Sequence, residues 1–231
     1  MASRTHRIPA CLAWGCALLL GAGLSGCAAS QDTSVSDPAR HVSFTVPGGW
    51  RPIGAAALTA ELKSTIGNSG AWTVAYEAGP RPKATDFLSF GVAQPFVFAD
   101  YVELSTTASG EMSDGGLRDI LFPVTAAARQ KAAAQGYPLT DFRQLRDQVL
   151  TLSGGVHEVR ETFDYSYGPD AATWDLDVMT DAAHTVVFLL MAHCNTACYG
   201  KYQAEITHLM SSVTASQLAR PMGPFSMLIG R

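Results

Sequence analysis

Apolar and polar residues alternate with a period of two along much of this chain. Val42, Phe44 and Val46 share one face, with Ser43 and Thr45 between them, and Pro47-Gly48-Gly49 ends the run before Trp50; this predicts a strand closed by a turn. The alternation returns in Trp72-Thr73-Val74-Ala75-Tyr76, a Pro-rich loop follows from Gly79 to Lys83, and a longer strand is expected over Phe96 to Leu104. Residues 51–70 fit either a short helix or an irregular strand. Ser113-Asp114-Gly115-Gly116 breaks the chain ahead of a helical segment reaching Gln135, with Pro123 expected at its first helical position and Gly136 just past its end. From Asp141 to His193 four strand-like runs are joined by short turns at 153–155, 168–170 and 181–183. In the third run Trp174, Leu176 and Val178 alternate with Asp175 and Asp177, which predicts one buried and one wet face. The fourth, Val186 to Met191, is apolar on both faces and reads as a central strand. A final helix, Tyr199 to Val213, places Tyr202, Ile206, Leu209, Met210 and Val213 on one stripe, suited to cover one face of an antiparallel sheet.

Ahead of this body the periodicity disappears. Arg4 and Arg7 precede an uncharged run from Ile8 to Gly26, the charged and apolar regions of an export signal. The run approaches membrane-spanning length, but Gly15, Gly21, Gly23 and Gly26 leave it weakly hydrophobic. Leu24-Ser25-Gly26-Cys27 resembles the lipobox of bacterial lipoproteins, in which the cysteine sulfur receives a diacylglyceryl group and the signal is cut just before it. Ordinary secretion with an unmodified Cys27 fits that boundary less well. The expected division is a signal peptide over 1–26, a lipidated Cys27 with a flexible tether to residue 40, one domain over 41–214, and a C-terminal tail over 215–231. The domain would hang from a cell membrane or outer membrane on its extracytoplasmic face.

Charge and cysteines sharpen this picture. Of 16 Lys and Arg residues, Arg4 and Arg7 lie before Cys27, which leaves 14 against 20 Asp and Glu and a mature net charge of −6. Such a surface argues against nucleic acid as a partner. Cys11 and Cys16 leave with the signal, and Cys194 and Cys198 remain as an even pair in an oxidising compartment, where a disulfide is expected. Four residues apart on an extended strand they could not meet, so a turn or a helical start must lie between them.

An exported chain opening with Phe44, Val46, Pro47 and Trp50, followed by a central helix, a four-strand meander and a closing helix, resembles the PsbP-like α/β sandwich, and within it actinobacterial lipoproteins of the LpqN and LpqT type. The resemblance covers 41–214, and its compact motif is Val46-Pro47-Gly48-Gly49-Trp50. It implies an α+β fold, an antiparallel sheet with packed helices. It also implies an accessory or binding role in the cell envelope, with an envelope protein or lipid as partner and no catalytic residues to transfer. Trp50 transfers as a packing residue with a satisfied indole N–H. The pair Cys194/Cys198 and the tail are departures from the pattern.

Other chemistries fare less well. His193, Cys194 and Cys198, with His184 or His208, could make a soft-metal set, but only one well-spaced ligand pair exists. No Gly-x-Ser-x-Gly elbow is present, and Ser153-Gly154-Gly155 with His157 fits a hairpin turn. Glu158, Glu161, Asp164, Asp175 and Asp177 could supply a glycosidase-like carboxylate pair, or form the solvated face of a sheet, which is the expectation adopted. The apolar, proline-broken segment Pro221 to Ile229 is expected to strap the domain rather than bind a partner as a strand. The expectation is a non-enzymatic binding module with no catalytic residue, metal or cofactor; a carrier of a small apolar or lipid ligand and an envelope hydrolase are the alternatives.

Overall fold

The computed structural model describes residues 30–67, 70–215 and 218. Seven strands form one antiparallel sheet in the order β3-β4-β5-β9-β8-β7-β6, where β3 is Arg51–Pro52, β4 Trp72–Glu77, β5 Phe96–Glu103, β6 Leu139–Thr151, β7 His157–Tyr167, β8 Asp170–Thr180 and β9 Val186–Asn195. The last four make a meander, and β9 returns beside β5. A separate hairpin pairs β1, Thr33–Asp37, with β2, Val42–Val46. Five α-helices lie among the described residues: α1 (Ala55–Thr65), α2 (Thr106–Glu111), α3 (Asp114–Arg118), α4 (Ala126–Ala134) and α5 (Thr196–Ser211). None of the helices among the described residues is long and apolar enough to cross a membrane.

Both faces of the sheet carry a core, which is why β9 is apolar on both sides. Phe188, Leu190 and Ala192 join Ile206, Leu209 and Met210 of α5 and the β1–β2 hairpin in one cluster. Leu189 and Met191 join Leu58 and Leu62 of α1, Phe87, Leu117 and Phe122 in the other. Each such aliphatic or aromatic side chain, fully buried, contributes about 1.5–3 kcal/mol. The closing helix starts where Asn195 caps it, its side chain accepting from the Cys198 amide at 2.8 Å.

Three expectations change. The segment expected as a flexible tether contains β1, because Val35 is buried when Thr33–Asp37 pairs with the edge of β2. The central helix does not start at Pro123. Thr125 caps α4 through its hydroxyl, which accepts from Ala128 N at 3.2 Å, and Asp119 takes Val124 N and Thr125 N at 2.8 Å each, so a capped loop separates α3 from α4. Finally, β8 has no wet face: Asp175 and Asp177 are as buried as Leu176 and Val178. The Val-Pro-Gly-Gly-Trp motif has a local cause. Gly49 sits at φ 91°, and a Cβ at Gly48 would stand 1.9 Å from the Ser30 carbonyl oxygen. The indole of Trp50 donates to Glu205 at 3.1 Å.

Candidate functional site

Two features of the sheet compete as a site. The first is a cleft at the end of β7 and β8, on the side away from α5. One wall comes from Leu88–Gly91 in the loop before β5, a second from Leu121 and Phe122 between α3 and α4. Tyr137, Pro138 and Leu139, which lead from α4 into β6, form a third, and Tyr167 and Asp170 stand at the β7–β8 turn. The cavity measures about 500 Å³, within the roughly 300–1,000 Å³ of small-molecule sites. A rigid aromatic stack underlies it: Phe122 lies 4.4 Å and Phe90 5.4 Å, centroid to centroid, from the fully buried Trp174. Trp174 stacks in turn on His193 at 4.1 Å, and burial pushes His193 down to about 3, so it is a neutral wall. Tyr137 and Tyr167 are each 52 % exposed, which leaves large apolar area at the rim.

Two smaller cavities continue around Tyr137. One, of about 270 Å³, shares Leu121 and Phe122 with the cleft and reaches Lys131 and Gln135 on α4. The other, of about 180 Å³, reaches Arg129, Phe142 and Tyr165. The Arg129 guanidinium lies 4.0 Å over the Phe142 ring and donates to the Val124 carbonyl, so it is committed. Burial raises the Tyr165 hydroxyl to about 12, and it donates to the Pro123 carbonyl at 2.5 Å.

The second feature is a charge array on the α5 side of β6, β7 and β8, where a solvated acidic face was expected. Asp164 meets Arg143 at 2.5 Å and Asp175 meets Arg146 at 2.5 Å. Arg160 spans Glu158 at 2.7 Å and Asp177 at 3.4 Å. Thr173 donates to Asp164 at 2.7 Å, and Thr162 and Tyr199 donate to Asp175 at 3.2 and 2.8 Å. The acids are buried because α5 and their own neighbours cover them, and cross-strand arginines supply the countercharge. Burial raises Asp177 to about 7 against the opposing pull of Arg160, and raises Asp175 against that of Arg146. Glu161 lies on the other face beside Asp147 and Arg118, where burial and then Asp147 raise it to about 8.

Perturbed acids are a mark of active sites, but the groove here, between Arg146, Arg160, Asp177 and the α5 residues Thr207, Met210 and Ser211, holds about 50 Å³. That is room for a few waters, about a tenth of the space in the cleft.

Other residues singled out in the sequence fall apart from one another. Cys27 lies outside the described residues, as does the segment 219–231. Cys194 ends β9 and Cys198 opens α5, with their sulfurs 2.18 Å and their Cα atoms 5.9 Å apart. His193 points to the opposite face of β9, His208 meets Asp32 at 3.2 Å, and His184 lies beside His157. Among the described residues no group of three or more His, Cys, Asp or Glu side chains could hold a metal ion. Ser153–Gly155 forms a single turn of 3₁₀ helix before His157. Pattern reading passed over Leu121, Phe122, Tyr137 and Leu139, and the available signal was large apolar residues in segments without periodicity.

No family model matches the chain, and no curated protein matches it. Solved structures do. The chain is similar to the cyanobacterial PsbP (CyanoP) of Synechocystis sp. PCC 6803, at 13 % identity and a TM-score of 0.49, covering 85 % of this chain and 98 % of that one. It is similar to LpqN of Mycobacterium tuberculosis, involved in cell envelope biogenesis, at 16 % identity and a TM-score of 0.41, covering 80 % and 90 %. It is also similar to the Ran-binding protein Mog1p of Saccharomyces cerevisiae, at 9 % and 0.42, covering 81 % and 97 %. These likenesses concern the arrangement of strands and helices; the geometry of the site speaks for its function.

Proposed function

We propose that this chain is a non-catalytic binding module of the cell envelope, held by a lipid on Cys27 at the extracytoplasmic face of a membrane, and that it takes a small apolar ligand in the cleft walled by Phe90, Leu121, Phe122 and Tyr137. The observation that carries the binding reading is the cleft: about 500 Å³ of apolar space over a fixed aromatic floor, with half-exposed tyrosines at its mouth. The anchor rests on the sequence, where the lipobox-like Leu24 to Cys27 ends an export signal.

Native mass spectrometry of the protein purified from its producing cells tests the cleft. An apolar molecule should travel with the wild type at one per chain and be absent from Leu121→Trp, which fills the space. An empty wild type, or an adduct that Leu121→Trp retains, overturns the reading. Intact mass of the membrane-extracted protein tests the anchor: an acylated chain starting at Cys27 is expected, and an unmodified Cys27 contradicts it. A second reading, an envelope hydrolase, draws on the raised Asp177 beside Glu158. It requires that Asp177→Asn abolish function in cells while the protein stays folded and anchored, whereas the binding reading expects Asp177→Asn to complement.

A further inference from the structure

Charged groups border the cleft and the cavity beside it. Asp170 places a carboxylate against Gly91, 3.6 Å from where a Cβ on Gly91 would stand. A second cavity, which shares Leu121, Phe122 and Tyr137 with the cleft, is bordered by Lys131 and Asp119. Lys131 forms no ion pair among the described residues, unlike Arg118, Arg143, Arg146 and Arg160, each of which holds an acid. Arg129, its neighbour on α4, is occupied by the Val124 carbonyl and the Phe142 ring. Asp119 lines the same cavity as Lys131, and its carboxylate accepts from Val124 N, Thr125 N and the Thr125 hydroxyl at 2.7–2.8 Å. Lys131, with no ion pair among the described residues, therefore borders the cavity next to the cleft, and Asp170 borders the cleft itself.

Resting on the cleft reading above, we infer that the ligand is a single-chain amphiphile with an acidic head, its head at Lys131 and its hydrocarbon chain running past Tyr137 toward Phe90. Charge sets the direction. An acidic head beside Asp170 would face a like charge; beside Lys131 it gains a cation whose butyl stem extends the apolar wall, and the Asp119 carboxylate in that cavity is already held by three hydrogen bonds. The half-exposed Tyr137 lines both cavities, so a chain reaching from one to the other runs beside it. An uncharged chain of equal length would enter the same space without preference for either end.

The experiment uses membranes isolated from the producing cells, with the anchored full-length protein, and two photoactivatable probes: a diazirine-bearing palmitic acid and the matching fatty alcohol. After illumination the crosslinked peptides are mapped. The acid is expected to label the segments around Leu88–Gly91 and Leu121–Leu139, and Lys131→Gln to lower its labelling about threefold to fivefold, as loss of one exposed ion pair allows, with no change for the alcohol. Comparing each probe with itself in the two proteins cancels their different partition into the bilayer. Leu121→Trp should remove labelling by both. If Lys131→Gln affects acid and alcohol alike or neither, the head assignment falls and the apolar cleft stands. If neither probe labels those segments, the cleft reading falls with it. Unchanged melting temperature of Lys131→Gln separates loss of charge from loss of fold.

Discussion

The three strands β6, β7 and β8 present two contrasting surfaces. Toward α5 they hold four buried acids and three arginines, packed so closely that the remaining groove measures about 50 Å³. At the turn end of the other face Leu139, Tyr167 and Asp170 meet Phe90, Phe122 and the half-exposed Tyr137 from the loops around about 500 Å³ of space. The first region has chemistry and no room; the second has room and little charge. Buried, compensated charge is a packing solution, because each acid has its arginine or hydroxyl, whereas exposed aromatic area is left open to solvent.

The contrast breaks most visibly in stability. Arg160→Met strands Glu158 and Asp177 together in the interior and should cost about 3–5 kcal/mol. Tyr137→Ala, at the rim of the cleft, should cost less than about 1 kcal/mol. Urea unfolding at pH 8 compares the two, and similar losses would mean that the array is not the structural member of the pair.

The next effect is on pH dependence. Asp177 binds its proton more tightly folded than unfolded, since burial lifts it from the ordinary carboxylate range to about 7. Its contribution to stability is thus complete below about pH 4 and is lost as pH rises through 7. Glu161, raised to about 8, acts in the same sense over a window extending higher. Asp177→Asn should therefore gain up to about 4 kcal/mol at pH 8 and almost nothing at pH 4, read from thermal unfolding at both. A uniform change across pH would mean that Asp177 is not held protonated by the fold.

Smaller still is the effect of the cysteines. Thiol titration of the unfolded, unreduced protein should find neither Cys194 nor Cys198 free, and replacing both by alanine should cost no more than about 2 kcal/mol, because so short a loop constrains the unfolded chain little. Two reactive thiols would refute the bridge. Smallest is Gly49→Ala, about 1 kcal/mol for placing a Cβ at φ 91° beside Trp50.

How far the sequence disclosed this architecture depends on how local the causes are. Strand β2, the apolar β9, the hairpin turns and the stripe of α5 follow from residue spacing alone. The buried state of Asp175 and Asp177 does not, because their arginines come from β6 and β7, whose pairing and bulges no local pattern specifies. The start of α4 was missed for a related reason: Pro123 suits a first helical turn, but the side chain of Asp119 holds Val124 and Thr125 outside the helix. Strand β1 depends on one apolar residue, Val35, in a polar segment. The cleft was least legible, since four segments distant in sequence contribute its walls and none is periodic.

If the apolar cleft and not the charge array meets the ligand, amide hydrogen exchange of the anchored protein with and without oleate separates the two regions. Added protection is expected at residues 88–91, 121–139 and 167–170 alone. Protection centred on Arg146, Arg160 and Asp177, or none anywhere, would contradict it.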